Sequence, residues 1–288
     1  MSSTALVTGA SSGIGAVYAD RLAARGHDLV LVARSAQRLE QQTNVLRERY
    51  GVAVQFISAD LTDAADLRGV EDLLRTDARI TTLVNNAGIG GAGALAQSNV
   101  DRMEEMIAIN VTAVMRLSYA IVPRLIAAGQ GSIINISSIA AIGPEILNGV
   151  YGGTKAFVLA FSQSLKKELA GTGVSVQVVL PGATATEFWN TAGVPVGHLP
   201  GEWVMSASDL VDAALAGFDR GEFVSVPSLQ NGFEWDNYES ARQTMLPHLS
   251  NARVAARYRS VETAERLDRL SNGGRSFEHA SVSEGEAT

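Results

Sequence analysis

The chain has 288 residues, 46% hydrophobic and 18% charged, with 28 glycines, no cysteine and a formal net charge of −7. That length can bury the core of one large α/β domain. The lack of cysteine excludes disulfides, thiolate metal sites, iron–sulfur clusters and a cysteine nucleophile, while the negative charge argues against binding nucleic acid through its phosphates.

Short runs rich in Val, Ile and Leu alternate with longer amphipathic segments. The first predicted strand, residues 5–8, runs into Thr8-Gly9-Ala10-Ser11-Ser12-Gly13-Ile14-Gly15, and a helix over 13–25 follows. Gly9 allows a tight strand-to-helix turn. Gly13 and Gly15 remove side chains where a ligand must come close, and the free N–H groups of the helix start attract a pyrophosphate. No Gly-Lys-Ser/Thr follows, so this is not an NTPase phosphate loop. The second strand, 28–33, ends at Arg34, and Arg38 lies one helical turn on, in the helix predicted over 35–49. A carboxylate at this place bonds the ribose 2′-hydroxyl of NAD, whereas an arginine suits the 2′-phosphate of NADP. Arg34 therefore predicts a preference for NADPH.

Strands are predicted next at 53–58, 82–85 and 132–136. Ser137 and Ser138 follow the last of these, at the strand end where α/β sheets bind ligands. A helix over 150–169 then carries Tyr151-Gly152-Gly153-Thr154-Lys155. Positions i and i+4 share a helix face, so the ammonium of Lys155 is expected to lower the pKa of the Tyr151 phenol and make it an acid/base near neutral pH. Gly152 and Gly153 imply close backbone packing at the helix start. A strand over 175–180 precedes a Gly-, Pro- and Trp-rich insertion, 188–208, read as a lid. The last strand is 222–226. Helices are predicted over 234–247 and 251–270, and a disordered tail over 271–288. Strands alternating with helices imply a doubly wound parallel sheet of about seven strands with helices on both faces.

These ordered motifs, over residues 4–227, resemble the short-chain dehydrogenase/reductase family. The resemblance implies a Rossmann-type fold and a set of roles. Gly9, Ser11, Ser12, Gly13, Ile14 and Gly15 form the cofactor turn, with Arg34 and Arg38 at the 2′-phosphate. Asp60 and Leu61 lie beside the adenine. Asn86, Ala87 and Gly88 end the fourth strand. Pro181, Gly182, Thr184 and Thr186 fix the nicotinamide. Asn110, Ser138, Tyr151 and Lys155 are the catalytic group: Ser138 polarises a carbonyl oxygen, Tyr151 donates the proton, Lys155 also bonds the nicotinamide ribose, and Asn110 holds a water that reconnects Lys155 to solvent. The expected activity is NADP(H)-dependent interconversion of a carbonyl and an alcohol. The domain division expected is a catalytic domain over 1–227 with its lid at 187–208, a helical extension of the same domain over 228–270, and the tail.

Trp189 and Trp203 in the lid, with Glu145 at the edge, predict a largely apolar substrate pocket. The rival for both tryptophans is packing the lid against the body. No metal site, nucleic acid or membrane partner is expected: four scattered histidines lack ligand spacing, and no uninterrupted apolar run reaches the roughly 18 residues of a membrane span. The start of the chain lacks signal-peptide features, so the cytoplasm is the expected compartment. A homodimer or homotetramer is expected, with the Phe157 and Phe161 helix face or the C-terminal helices as interface. Two other functions compete: an NAD-dependent epimerase or dehydratase, and a non-catalytic NADP-binding regulator.

Overall fold

The computed structural model describes residues 3–192 and 196–258. Seven strands form one parallel sheet: β1 (Thr4–Thr8), β2 (Asp28–Ala33), β3 (Val54–Ser58), β4 (Ile80–Asn85), β5 (Gly131–Ile136), β6 (Val174–Val179) and, counted last in the chain, β9 (Val224–Ser225). Their order is β3-β2-β1-β4-β5-β6-β9. The order reverses between β1 and β4, and that switch point opens a crevice at the carboxyl ends of the strands. A separate pair, β7 (Thr184–Ala185) and β8 (Met205–Ser206), brackets the insertion.

Neighbouring strand residues alternate between the two faces, as a pleated strand requires. Ala5 and Val7 join one core, with helices α1 (Gly13–Ala24), α2 (Ala36–Tyr50) and α8 (Ala207–Asp219). Leu6 joins the other, with α3 (Ala64–Thr76), α5 (Val114–Ala128) and α6 (Gly149–Glu168). Both faces are covered, which explains why the strands read as continuous apolar runs.

Helix α5 continues from α4 (Val100–Ile107) through a π-helical turn, Ala108–Ala113. An 18-residue stretch within the continuous rod Val100–Ala128 reaches a mean hydropathy of 1.5, and the rod is long and apolar enough to cross a membrane by length and composition. Scattered polar residues interrupt every apolar run along it, so no single stretch of the sequence marks it. Here the rod is a core helix: Leu117, Ile121 and Leu125 are buried, and α5 packs on β4, β5 and α3.

The short helix α7 (Phe188–Ala192) opens the predicted lid; Val194 lies outside the described residues. The chain forms two compact units, Met1–Gln230 and Asn231–Thr288. Within the second, α9 (Gly232–Met245) matches the helix expected over 234–247. The helix expected from 251 does not start there. The Asn251 side chain accepts the Arg253 N–H at 2.9 Å, and such a local bond competes with helix formation. One 3-10 turn, Ala256–Tyr258, ends the described chain. The rest of that predicted helix, the tail and His279 lie outside the described residues.

Candidate active site

The glycine turn is tied to the end of β4. Thr8 Oγ1 accepts the N–H groups of Asn86 and Ala87, both at 3.0 Å, and donates to Val84 O at 3.2 Å. Asn86 Nδ2 donates to Thr8 O at 2.9 Å and Gly9 O at 3.2 Å. Gly9 has φ +64°, and a Cβ on it would stand 2.9 Å from Ala87 Cα. A Cβ on Gly15 would run into the Gly9 carbonyl. At Gly9 and Gly15 the turn therefore has no room for a side chain. Ser12 caps α1 without a side-chain hydrogen bond, which leaves the first N–H groups of that helix free of a side-chain partner. Ser11 and Ile14 lie half-buried on the same turn.

Arg34 is exposed just beyond β2. The Ser35 side chain caps α2 by accepting the Arg38 N–H. The Arg38 guanidinium is not free: it bonds Glu187 at 2.6 Å. Asp60 Oδ1 accepts from the Thr62 N–H at 2.9 Å and from its hydroxyl at 2.7 Å. Burial pushes the Asp60 carboxyl up, but these bonds and nearby Arg34 outweigh it and hold the group below the usual carboxylate range. Leu61 beside it is buried.

Ser138, Tyr151 and Lys155 come together below the carboxyl end of β5, and all three are buried. Ser138 caps a 3-10 turn and accepts the Ala140 N–H at 3.1 Å. Lys155 Nζ donates to Ile136 O at 3.0 Å and lies 5.8 Å from the Tyr151 ring centre. Burial pushes the Tyr151 phenol up to about 12, with a hydrogen bond from Ser138 opposing it, and pushes Lys155 down to about 8. The expected lowering of the Tyr151 pKa by Lys155 is thus reversed in this structure. Both groups are out of water, and desolvation penalises each charged form. Tyr151 is held protonated at neutral pH.

Asn110 sits in the π turn, a feature often found at functional sites. Its Oδ1 accepts from Ile89 N and its Nδ2 donates to Ile89 O, both at 2.9 Å. A third bond reaches Thr154 Oγ1 at 3.1 Å. Asn110 therefore joins the loop after β4 to the helix of Tyr151 and Lys155. Gly88, on that loop, lies against both Asn110 Oδ1 and Lys155 Nζ. Gly152 is needed where it stands, because a Cβ there would be 2.8 Å from Pro144 Cα; Gly153 has open space. The expectation of close packing holds for the first of the pair only.

The segment after β6 folds back over this site. The Pro181 carbonyl accepts from Ile139 N at 3.0 Å, beside Ser138. Thr184 Oγ1 donates to Gly182 O at 3.0 Å. Thr186 reaches the glycine turn: a Cβ on Gly13 would stand 3.1 Å from Thr186 Cγ2. Trp189 is buried and donates from Nε1 to Thr184 O at 2.8 Å, so it anchors the lid. Trp203 is 66% exposed, and Glu145 is exposed on a 3-10 turn. His198, at the end of the 3-10 turn Val196–His198, is exposed as well.

Two neighbours of the site were not singled out from sequence. Phe188 packs on Tyr151, with ring centres 5.6 Å apart, and fills the space a side chain at Gly90 would need. Asn148 caps α6 through Val150 N at 2.8 Å and ties it to the Gly93 carbonyl at 2.7 Å. The crowd of glycines at 88, 90, 91 and 93, and an Asn just ahead of a predicted helix, were the available signals.

Comparison with known proteins agrees with this geometry. The short chain dehydrogenase family model matches residues 3–194. Sulfoacetaldehyde reductase of Chromohalobacter salexigens is 41% identical over 194 residues, 65% of this chain and 75% of its own. A short-chain dehydrogenase from Sphingobium yanoikuyae, solved in complex with NADPH, is 50% identical, with TM-score 0.87 over 89% of this chain and 100% of that one. The bulky-bulky ketone specific alcohol dehydrogenase from Comamonas testosteroni is 44% identical, with TM-score 0.83 over 90% and 99%. The sheet, the glycine turn and these matches together make the chain a member of the short-chain dehydrogenase/reductase family of oxidoreductases, which use a nicotinamide cofactor.

Proposed function

We propose that the protein is an NADP(H)-dependent carbonyl reductase and alcohol dehydrogenase acting on bulky, apolar ketones or aldehydes. The observation that carries the reading is the buried cluster of Ser138, Tyr151 and Lys155 in one fold with a turn crowded free of side chains at Gly9 and Gly15. The turn fits a dinucleotide: Gly9 and Gly15 leave a cradle that a Cβ would fill, and the uncapped start of α1 favours an anion. Arg34 and Arg38 would hold a 2′-phosphate, and Pro181, Gly182, Thr184 and Thr186 would hold the nicotinamide end. When bound, the nicotinamide supplies or accepts the hydride.

The chain's own residues do the rest. The Ser138 hydroxyl donates to the substrate oxygen and fixes its position. Tyr151, kept protonated by burial, gives its phenolic proton to that oxygen as negative charge develops there. Lys155 places a cation near Tyr151 and so lowers the cost of the phenolate left behind. Asn110 holds the loop after β4 in register with α6. In the oxidising direction Tyr151 must first lose its proton, so that direction is favoured at higher pH.

The apolar character of the substrate is supported by Phe188 on Tyr151, by half-buried Val150 and Leu147 nearby, and by exposed Ile146. The 44% identity to an enzyme specific for bulky-bulky ketones points the same way. Self-association is part of the proposal. Tyr119 is 71% exposed and stacks on Phe161, which stacks on Phe157, giving an aromatic face across α5 and α6. Light scattering at micromolar concentration tests it: a dimer or tetramer is expected, and a monomer would remove the claim. The activity is tested by NADPH oxidation with a ketone panel. Turnover that vanishes in Tyr151→Phe while NADPH still binds is expected; normal turnover in that variant would refute the assignment.

A further inference from the structure

Glu187 has no part in the mechanism above. It follows Thr186 on the segment leaving β6, and its carboxylate bonds the Arg38 guanidinium at 2.6 Å. The pair joins residues 149 apart in sequence. It also spans most of the sheet edge, since β6 and β2 lie four strand spacings apart, roughly 19 Å. The segment that carries Glu187 therefore crosses the crevice over the glycine turn. Its neighbours are docked independently of the pair: Thr186 on Gly13, and Phe188 between Gly90 and Tyr151. Glu187 is held at the first turn of α2 by these contacts. Both partners are about half exposed, at 50% and 56%, so the pair lies within reach of a ligand entering from solvent.

Arg38 is one of only two cations proposed here to meet a 2′-phosphate. The geometry points to Glu187 as a determinant of cofactor preference: its carboxylate competes with the 2′-phosphate for Arg38. This inference rests on the proposed use of NADP(H). A 2′-phosphate brought to Arg38 meets a carboxylate already bonded there. Either the ion pair opens, or two anions share one guanidinium at close range. Both outcomes weaken binding of the phosphorylated cofactor. NAD(H) carries a hydroxyl at that place and meets neither cost. Glu187 thus narrows the preference for NADP(H) over NAD(H). It acts through Arg38 and is a positioning residue; it needs no contact with the reacting atoms.

The test is a fluorescence titration of NADPH and of NADH, without substrate, against the wild type, Glu187→Gln, Arg38→Gln and the double variant. Exposed ion pairs are weak, so the effect is a modest one. Glu187→Gln is expected to tighten NADPH about twofold to fivefold, to leave NADH unchanged, and to have no effect when Arg38 is already replaced. Weaker NADPH binding in Glu187→Gln would overturn the inference, since the pair would then be preparing Arg38 for the phosphate. An equal shift for both cofactors would overturn it too, because Glu187 would then act only by holding the segment closed. So would an undiminished effect in the Arg38→Gln background. The proposed cofactor fails on a different result: wild-type protein that binds NADH as tightly as NADPH.

Discussion

Lys155 is buried as a cation, and its replacement by methionine isolates what that burial costs. The group titrates at 10.5 when exposed and is pushed down to about 8 in the folded chain by desolvation. Between those two values the unfolded chain binds one more proton than the folded one, so stability rises with pH across that window. Below about pH 8 the penalty is fully present. At about 1.4 kcal/mol per pH unit, the window amounts to about 3 kcal/mol. Methionine fills similar space and does not titrate, but it leaves the Ile136 carbonyl without its 3.0 Å bond from Nζ, which costs about 1–3 kcal/mol. At pH 7 Lys155→Met should therefore equal or exceed the wild type, by up to about 2 kcal/mol. By pH 10.5 it should be the less stable by about 1–3 kcal/mol. Urea denaturation of the cofactor-free proteins at pH 7, 8.5 and 10.5 measures this directly. A stability difference that stays constant across these pH values would refute the reasoning, because Lys155 would then titrate alike in both states.

Other expectations follow from the same geometry. Gly9→Ala must place a Cβ at φ +64° and 2.9 Å from Ala87 Cα; the backbone strain alone is about 1–2 kcal/mol, and a loss of this size should appear in denaturation curves together with at least tenfold weaker NADPH binding. Carbonyl reduction should fall as pH rises through about 8, where Lys155 loses its charge, whereas alcohol oxidation should climb as the Tyr151 phenol, at about 12, is drawn toward ionisation; pH–rate profiles in both directions test the pair. Glu71 is buried on α3; burial raises its carboxyl, but Arg116 and Arg75 outweigh that and hold it below its ordinary value. Its stabilising contribution is present above the ordinary carboxylate range and is lost as pH falls through the lowered folded value. Glu71→Gln should accordingly show a shallower acid limb in thermal unfolding than the wild type.

The strand–helix alternation was legible because a parallel strand covered on both faces must be apolar on both, and each predicted main-sheet strand overlaps an observed one. Strand ends were less legible. Strand β9 pairs only at Val224 and Ser225, since Arg220–Glu222 closes the turn before it. Strands β7 and β8 have two residues each and no periodicity to detect. Gly152 and Gly153 look alike in sequence, yet only the first faces Pro144, on the 3-10 turn just before the helix. Phe188 follows Thr186 by two positions, but nothing local says that its ring will lie on Tyr151. The membrane-length apolar rod was hidden for the opposite reason: its apolar character is a property of the average over an 18-residue stretch and of no single run. The order of the two pKa values was beyond sequence altogether. Spacing by four residues sets Tyr151 and Lys155 on one face, but burial decides which form each keeps.

We propose Tyr151 as the proton donor of an NADPH-dependent carbonyl reduction. The most direct measurement is NADPH consumption with bulky aryl ketones, run beside Tyr151→Phe and repeated with NADH, with NADPH binding checked in both proteins. Turnover with NADPH, slower turnover with NADH, and a loss of about a hundredfold to ten-thousandfold in Tyr151→Phe at near-unchanged NADPH affinity are expected, the range general acid catalysis supplies. Turnover that survives in Tyr151→Phe would contradict it.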